Sequence, residues 1–167
     1  MRVVTWNVWW RFGDWKLRQA AILRTLEDLE PDIVCLQEVW SAETGEDQVN
    51  HFATQLGMYH ARTPQRWWKG YSFGNAILSK YPIIDADSNR LPPTDGPGTR
   101  WALSALLDRG DTHIPIICTH LDHRFDQSKR RQEQVSAIFD VVAARHNPEQ
   151  HPVVLAGDFN STPHSDE

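Results

Sequence analysis

Apolar residues along the chain gather in short, nearly continuous runs, separated by stretches in which they recur at helical spacing. Arg2 to Val8 predicts a first strand. After a turn at Gly13-Asp14, Trp15, Ile22, Leu26 and Leu29 repeat as on a helix as far as Pro31, with Asp14 placed to cap it. Asp32 to Gln37 predicts a second strand, ending in Glu38. A second helix is expected from about Glu46 to Leu56, with Val49, Phe52, Ala53 and Leu56 on one face and Gly57 as its stop. Asn75 to Ser79 predicts a strand, and Pro92, Pro93, Gly96, Pro97 and Gly98 predict a loop. Trp101 to Asp108 and Ile114 to Leu121 predict a hairpin about Gly110-Asp111. Val135, Ile138, Phe139 and Val142 predict a helix from Ser128 to about Arg145, ended by Asn147-Pro148. Val153 to Phe159 predicts the last strand.

Several of these strands lack clean alternation, which implies burial on both faces. With helices interleaved between them, the pattern predicts stacked sheets covered by helices. No internal repeat, low-complexity tract or linker interrupts residues 1–167, and one domain of this length buries a substantial core.

Composition changes this picture only a little. Hydrophobic residues make up 40% and charged residues 23%, an ordinary globular balance. A formal net charge of −5 argues against a general nucleic-acid coat but not against an enzyme that grips one phosphate. No apolar run approaches the ~18 residues of a membrane span, and the first residues have no signal-peptide pattern. Cys35 and Cys118 sit inside apolar runs, where buried reduced thiols are expected; a cytoplasmic setting fits. Eight tryptophans are many for this length. Trp67 and Trp68 fall in an aromatic, locally basic stretch with Arg66, Lys69 and Tyr71, which suits a nucleobase, a membrane interface or packing.

Candidate chemistry lies where apolar strands run out. Asn7, Glu38, His120 and Asp158 each stand at such a place, with Asn160 two residues beyond Asp158 and therefore on the same face. Each has an ordinary structural reading too: a strand-end hydrogen bonder for Asn7, a solvent-facing acid for Glu38, a backbone partner for His120, an Asx turn for Asp158 and Asn160. Polar groups at the ends of buried strands need partners, so their coincidence predicts a common site.

The segments TWNVW at 5–9, LQEVW at 36–40, GNAILSKYPI at 74–83, THLDH at 119–123 followed by Arg131 and Gln134, and GDFNSTP at 157–163 together resemble the endonuclease/exonuclease/phosphatase superfamily. The motifs stand in the family's order and span essentially the whole chain. The resemblance implies a four-layer αββα sandwich of the DNase I-like type and a metal-dependent phosphoesterase using an activated water. It assigns Glu38 and Asn7 to a Mg²⁺ site, with Mn²⁺ a possible substitute, and Asp158, Asn160 and His120 to catalysis. Arg100 and Asn75 match family positions near the phosphate; Trp68 is a further substrate-binding candidate. The implied partner is a phosphoester substrate: lipid, nucleotide or nucleic acid.

Two departures bear on substrate. Trp9 stands where DNA-repair members carry an acid or amide, and Thr119 to His123 replaces a tyrosine-containing segment. Both point toward the sphingomyelinase- and phosphatase-like branch rather than abasic-site repair. A third bears on completeness. Family members continue into strands carrying an Asp-His pair, and His164, Ser165 and Asp166 do not match it. The resemblance therefore implies that the last part of the second sheet is missing, leaving an exposed edge open to association and a chain of weak or no activity. A non-catalytic binding module on the same fold is the rival expectation, and a zinc site on His120 and His123 a weaker one.

Overall fold

The computed structural model describes residues 1–93, 99–145 and 152–165. In chain order the elements are β1 (Val3–Asn7), α1 (Trp15–Leu29), β2 (Ile33–Val39), α2 (Gln48–Leu56), β3 (Tyr59–Arg62), β4 (Gly74–Ser79), β5 (Ile83–Leu91), β6 (Arg100–Asp108), β7 (His113–His120), α3 (Ser128–Arg145) and β8 (Val154–Asp158). Gly96, Pro97, Gly98, Asn147, Pro148 and Asp166 lie outside the described residues.

Two four-stranded sheets form, in the orders β1-β2-β4-β3 and β5-β6-β7-β8. Three apolar layers hold them. Ile22 and Leu26 of α1 and Val49, Phe52 and Ala53 of α2 pack on the outer face of the first sheet. Ile33, Cys35, Ile77, Leu103, Ile116 and Cys118 fill the space between the sheets, and both cysteines are free. Ile138, Val135 and Val142 of α3 cover the second sheet over Ile117 and Leu155. This is the four-layer αββα arrangement. It follows from β2, β4 and β7 being apolar on both faces, which requires a packed layer on each side.

The helix ends differ from the sequence reading in one respect. Asp14 occupies the N-cap position of α1, but its side chain makes no capping hydrogen bond. Its backbone sits at φ −78°, ψ 59°, away from the extended conformation in which a cap side chain reaches back. Asp47 does cap α2: it is extended and accepts from the Asn50 N–H at 2.9 Å. Gly57 ends α2 at φ 64°, as expected of a left-handed stop.

Two strands went unread. β3 is four residues long, and β5 carries Asp85, Asp87, Asn89 and Arg90, so neither shows an apolar run. Both are outer strands of their sheets, where charge is tolerated and discourages further pairing. Arg145 of α3 pairs with Asp85 and Asp87, fastening the helix to that edge.

The remaining pairings set up a site. Each sheet contains one parallel pair: β1 with β2, connected through α1, and β7 with β8, connected through α3. Parallel pairing places both carboxyl ends of a pair side by side, and β1 packs against β8 across the sheets. Four strand ends therefore meet at one rim, the region where ligands bind in many α/β folds.

Candidate active site

Asn7 ends β1, and its side-chain amide is the hinge of the site. The Trp9 N–H donates to Asn7 Oδ1 at 2.9 Å, which turns Nδ2 toward the carboxylates. Nδ2 then donates to Glu38 Oε1 at 3.0 Å and to Asp158 Oδ2 at 2.9 Å. One amide thus spans an acid from each sheet. Two carboxylates that share a neighbour repel, and the amide hydrogens offset part of that repulsion.

Backbone irregularity aims Glu38. The β2–β4 register shifts between Gln37 and Val39, and Glu38 sits in the bulge at φ 59°. A bulge turns one side chain out of the strand's alternation. Trp9 and Trp10 also take left-handed backbone, at φ 59° and 40°. Non-glycine residues rarely do so. Arg18 of α1 holds this turn, donating from Nε to Val8 O at 3.0 Å and from Nη2 to Trp9 O at 3.0 Å and Trp10 O at 3.2 Å. Sequence reasoning missed Arg18, because a single basic residue on a helix face carries no signal of its own.

On the second sheet, His120 and Asp158 are register partners across β7 and β8, with His120 Nε2 3.7 Å from Asp158 Oδ2. Gly157, one residue earlier, faces Thr119; a Cβ there would overlap the Thr119 carbonyl oxygen. That glycine permits the close approach of the two strands beside the site. Asp158 Oδ1 accepts from the Asn160 N–H at 3.0 Å, an Asx-type turn, and Asn160 stands at φ 51°. β8 ends at Asp158, so the two-residue strand period does not extend to Asn160. The Asn160 side chain instead donates to Leu121 O at 3.1 Å, tying the turn to the end of β7.

His120 is 3% exposed. Burial, reinforced by the charge of Arg100 and by the neighbouring His123 and opposed by Asp158, draws its pKa down to about 3. The imidazole is neutral at physiological pH, and its Nδ1 is buried without a hydrogen-bond partner among the described residues. Burial also pulls the Arg100 guanidinium below its ordinary value, while Asp122, Glu38 and Asp158 pull it back. Arg100 donates from Nη2 to His123 Nδ1 at 3.2 Å. His123 thus enters the site through a contact 23 positions away in sequence. His120 and His123 have no third His, Cys, Asp or Glu grouped with them among the described residues, where no cluster of three or more such side chains is placed to hold a metal.

Asn75 is buried outside this group, donating from Nδ2 to Trp101 O at 3.3 Å and so tying the two sheets together. Trp68 is 64% exposed and lies in an aromatic cleft with Trp10, Phe73 and Trp101. The loop after β7 is held separately. Gln134 of α3 accepts from the Asp122 N–H at 2.9 Å and donates to Pro92 O at 2.7 Å, and Arg131 donates to Arg124 O at 2.7 Å.

The model of the Endonuclease/Exonuclease/phosphatase family matches residues 4–167. The chain belongs to this family. Within it, the chain is 30% identical to the uncharacterized protein YbhP of Escherichia coli strain K12, covering 95% of the chain and 66% of that relative. It is 27% identical to an inositol phosphosphingolipids phospholipase C of Schizosaccharomyces pombe, covering 98% of the chain and 42% of the relative. The chain thus spans no more than 66% of the length of these curated relatives. The human Nocturnin catalytic domain with bound sulfate superposes with a TM-score of 0.79 at 22% identity, over 99% of this chain and 66% of that one. A β-hairpin deletion mutant of Staphylococcus aureus beta toxin gives 0.79 at 18%, over 99% of this chain and 69% of that one. The family fold is DNase I-like, and the two sheets with three covering helices match it. Among the described residues no helix is long and apolar enough to cross a membrane.

Proposed function

We propose that the protein is a Mg²⁺-dependent phosphoesterase in which a water held by Asp158 attacks a phosphodiester or phosphomonoester. The observation that carries this reading is the Asn7 amide shared between Glu38 and Asp158. It holds one acid from each sheet at hydrogen-bond distance from a single amide, so that one carboxylate can serve a metal ion while the other faces a water. The family's phosphoester-cleaving relatives, such as the phospholipase C of fission yeast, support it.

The donor set fits a hard divalent cation. Mg²⁺ takes one or two carboxylates and fills its remaining positions with waters and phosphate oxygens. Glu38 supplies the carboxylate. Asn7 Oδ1 accepts from the Trp9 N–H and keeps a second lone pair for the metal, while Nδ2 orients Glu38, as partners of metal ligands commonly do. When bound, the metal neutralises charge on the phosphate oxygens.

The chain's own residues do the rest. Asp158 has both oxygens fixed, by Asn7 and by the Asn160 N–H, so it presents one defined direction to a water and takes its proton. Neutral His120 and cationic Arg100 face the same space and hydrogen-bond the phosphate oxygens as negative charge builds in the transition state. Trp9 and the Thr119–His123 segment favour the sphingomyelinase- and phosphatase-like branch over abasic-site repair.

The test is hydrolysis of bis-p-nitrophenyl phosphate by the purified protein with Mg²⁺ and with EDTA. Weak EDTA-sensitive turnover is expected, lost in Asp158→Asn and Glu38→Gln and reduced about 10- to 100-fold in Asn7→Ala. Turnover surviving both acid substitutions in a folded protein would overturn the proposal.

A further inference from the structure

Trp10, Phe12, Trp67, Trp68, Phe73 and Trp101 line a cleft of about 560 Å³. It adjoins the His120 and Arg100 side of the site: the Phe73 ring lies 6.4 Å from the His120 ring, centroid to centroid, and Trp101 follows Arg100 on β6. Tyr71 forms part of its wall and is braced from behind. The Arg11 guanidinium lies 3.8 Å from the Tyr71 ring centroid and 4.9 Å from those of Trp15 and Trp40. Trp10 Nε1 donates to Ser72 O at 2.9 Å, fixing a second ring. These rings are ordered by the protein itself, which removes part of the ordering cost of binding.

Other faces are left uncovered. Trp67, Trp68 and Phe73 are 44%, 64% and 43% exposed, although together they carry a large apolar area. The rim is cationic: Lys69 Nζ lies 4.7 Å from the Trp68 ring centroid, and Arg66 bonds Thr99. Flat rings beside positive charge, next to the polar groups His120 and Arg100, describe a receptor for a ligand that is part ring and part anion.

We propose that this cleft is a specificity subsite for a planar aromatic group attached to the scissile phosphate. The inference rests on the phosphoesterase reading. Indole and phenyl faces reward a flat ring through stacking, and Arg and Lys add cation–π attraction. A saturated ring or an acyl chain gains only from area removed from water and places methylenes against Arg66 and Lys69. The enzyme therefore favours aryl-bearing over alkyl phosphoesters. The ring belongs to a nucleobase or to a phenol ester, which share this chemistry.

The test is equilibrium binding to the intact chain in EDTA, so that nothing is hydrolysed, followed by tryptophan fluorescence and calorimetry. Phenyl phosphate is compared with cyclohexyl phosphate, and adenosine 5′-monophosphate with ribose 5-phosphate. Each aromatic ligand is expected to bind about tenfold more tightly than its non-aromatic counterpart. Trp67→Leu with Trp68→Leu, both at exposed positions, should bring the ratio close to one while ribose 5-phosphate binds as before. Phe12→Leu, on a separate segment, repeats the measurement independently of that double variant. A nucleotide ahead of phenyl phosphate assigns the ring to a base; the reverse assigns it to a phenol ester. Equal affinities within both pairs overturn the proposal. So does tight binding to phosphatidylcholine vesicles that the double substitution abolishes without any ring preference, which makes the patch a membrane-docking surface. Binding in EDTA needs no turnover, so failure here is distinct from failure to hydrolyse bis-p-nitrophenyl phosphate.

Discussion

His120 shows how a residue's surroundings decide its chemistry. It is faced by Arg100 from β6, by His123 beyond β7 and by Asp158 from β8, and burial with the two basic neighbours outweighs the acid. In the unfolded chain a histidine takes up its proton near pH 6.5. In the folded protein His120 does so only at about 3. Between those values the unfolded state binds more protons, so this contribution to stability is fully present above pH ~6.5 and lost as pH falls toward 3. Chemical-denaturation midpoints should therefore decline from pH 7 to 4, and His120→Gln should flatten that decline. Nitrogen chemical shifts should show a neutral His120 imidazole at pH 6; a cationic one would contradict the account. The sequence made His120, Asn7, Glu38 and Asp158 visible because each is polar at the end of an apolar run. His123 was visible only as a zinc candidate beside His120, and nothing pointed to Arg18; the roles of both arise from contacts made only after folding.

At the level of elements, sequence signals succeeded where apolar runs or helical spacing dominated. A capping acid was not such a signal: the sequence offered Asp14 and not Asp47, and the structure reverses them. Asp47 accepts from the Asn50 N–H and also pairs with Arg62 and Ser41, whereas the Asp14 side chain bonds no helix donor. Asp47→Ala should cost about 1 kcal/mol or more, and Asp14→Ala less than about 0.5 kcal/mol, in denaturant titration. β3 and β5 were illegible for the opposite reason. Their pairing is fixed by neighbours in the sheet, and their own residues are chosen for an exposed edge. Gly157 carries a third lesson. The chain passes too close to Thr119 for any side chain, and the obstacle is a backbone carbonyl that cannot swing aside. Gly157→Ala should destabilise the protein by about 1–3 kcal/mol. Because His120 and Asp158 are aligned by the same pairing, hydrolysis should fall further than the thermal shift alone accounts for.

For the molecule as a whole, the layered architecture was legible because β2, β4 and β7 are apolar on both faces, a pattern that demands cover above and below. The order of strands was not legible, since pairing partners are set by how the layers fit and not by any strand alone. Order matters here more than content. Placing one parallel pair in each sheet, with β1 packed on β8, is what gathers four distant polar residues at a single rim. Asn7 and Glu38 ride on one sheet, and His120 and Asp158 on the other, so the hydrogen bond from Asn7 to Asp158 acts as a gauge laid across the seam. A slip of one layer over the other by a fraction of an ångström would leave every strand intact, yet it would lengthen that bond and part the two acids. Catalytic competence in such a design is a measure of the mutual alignment of two slabs, set by apolar side chains buried well away from the chemistry.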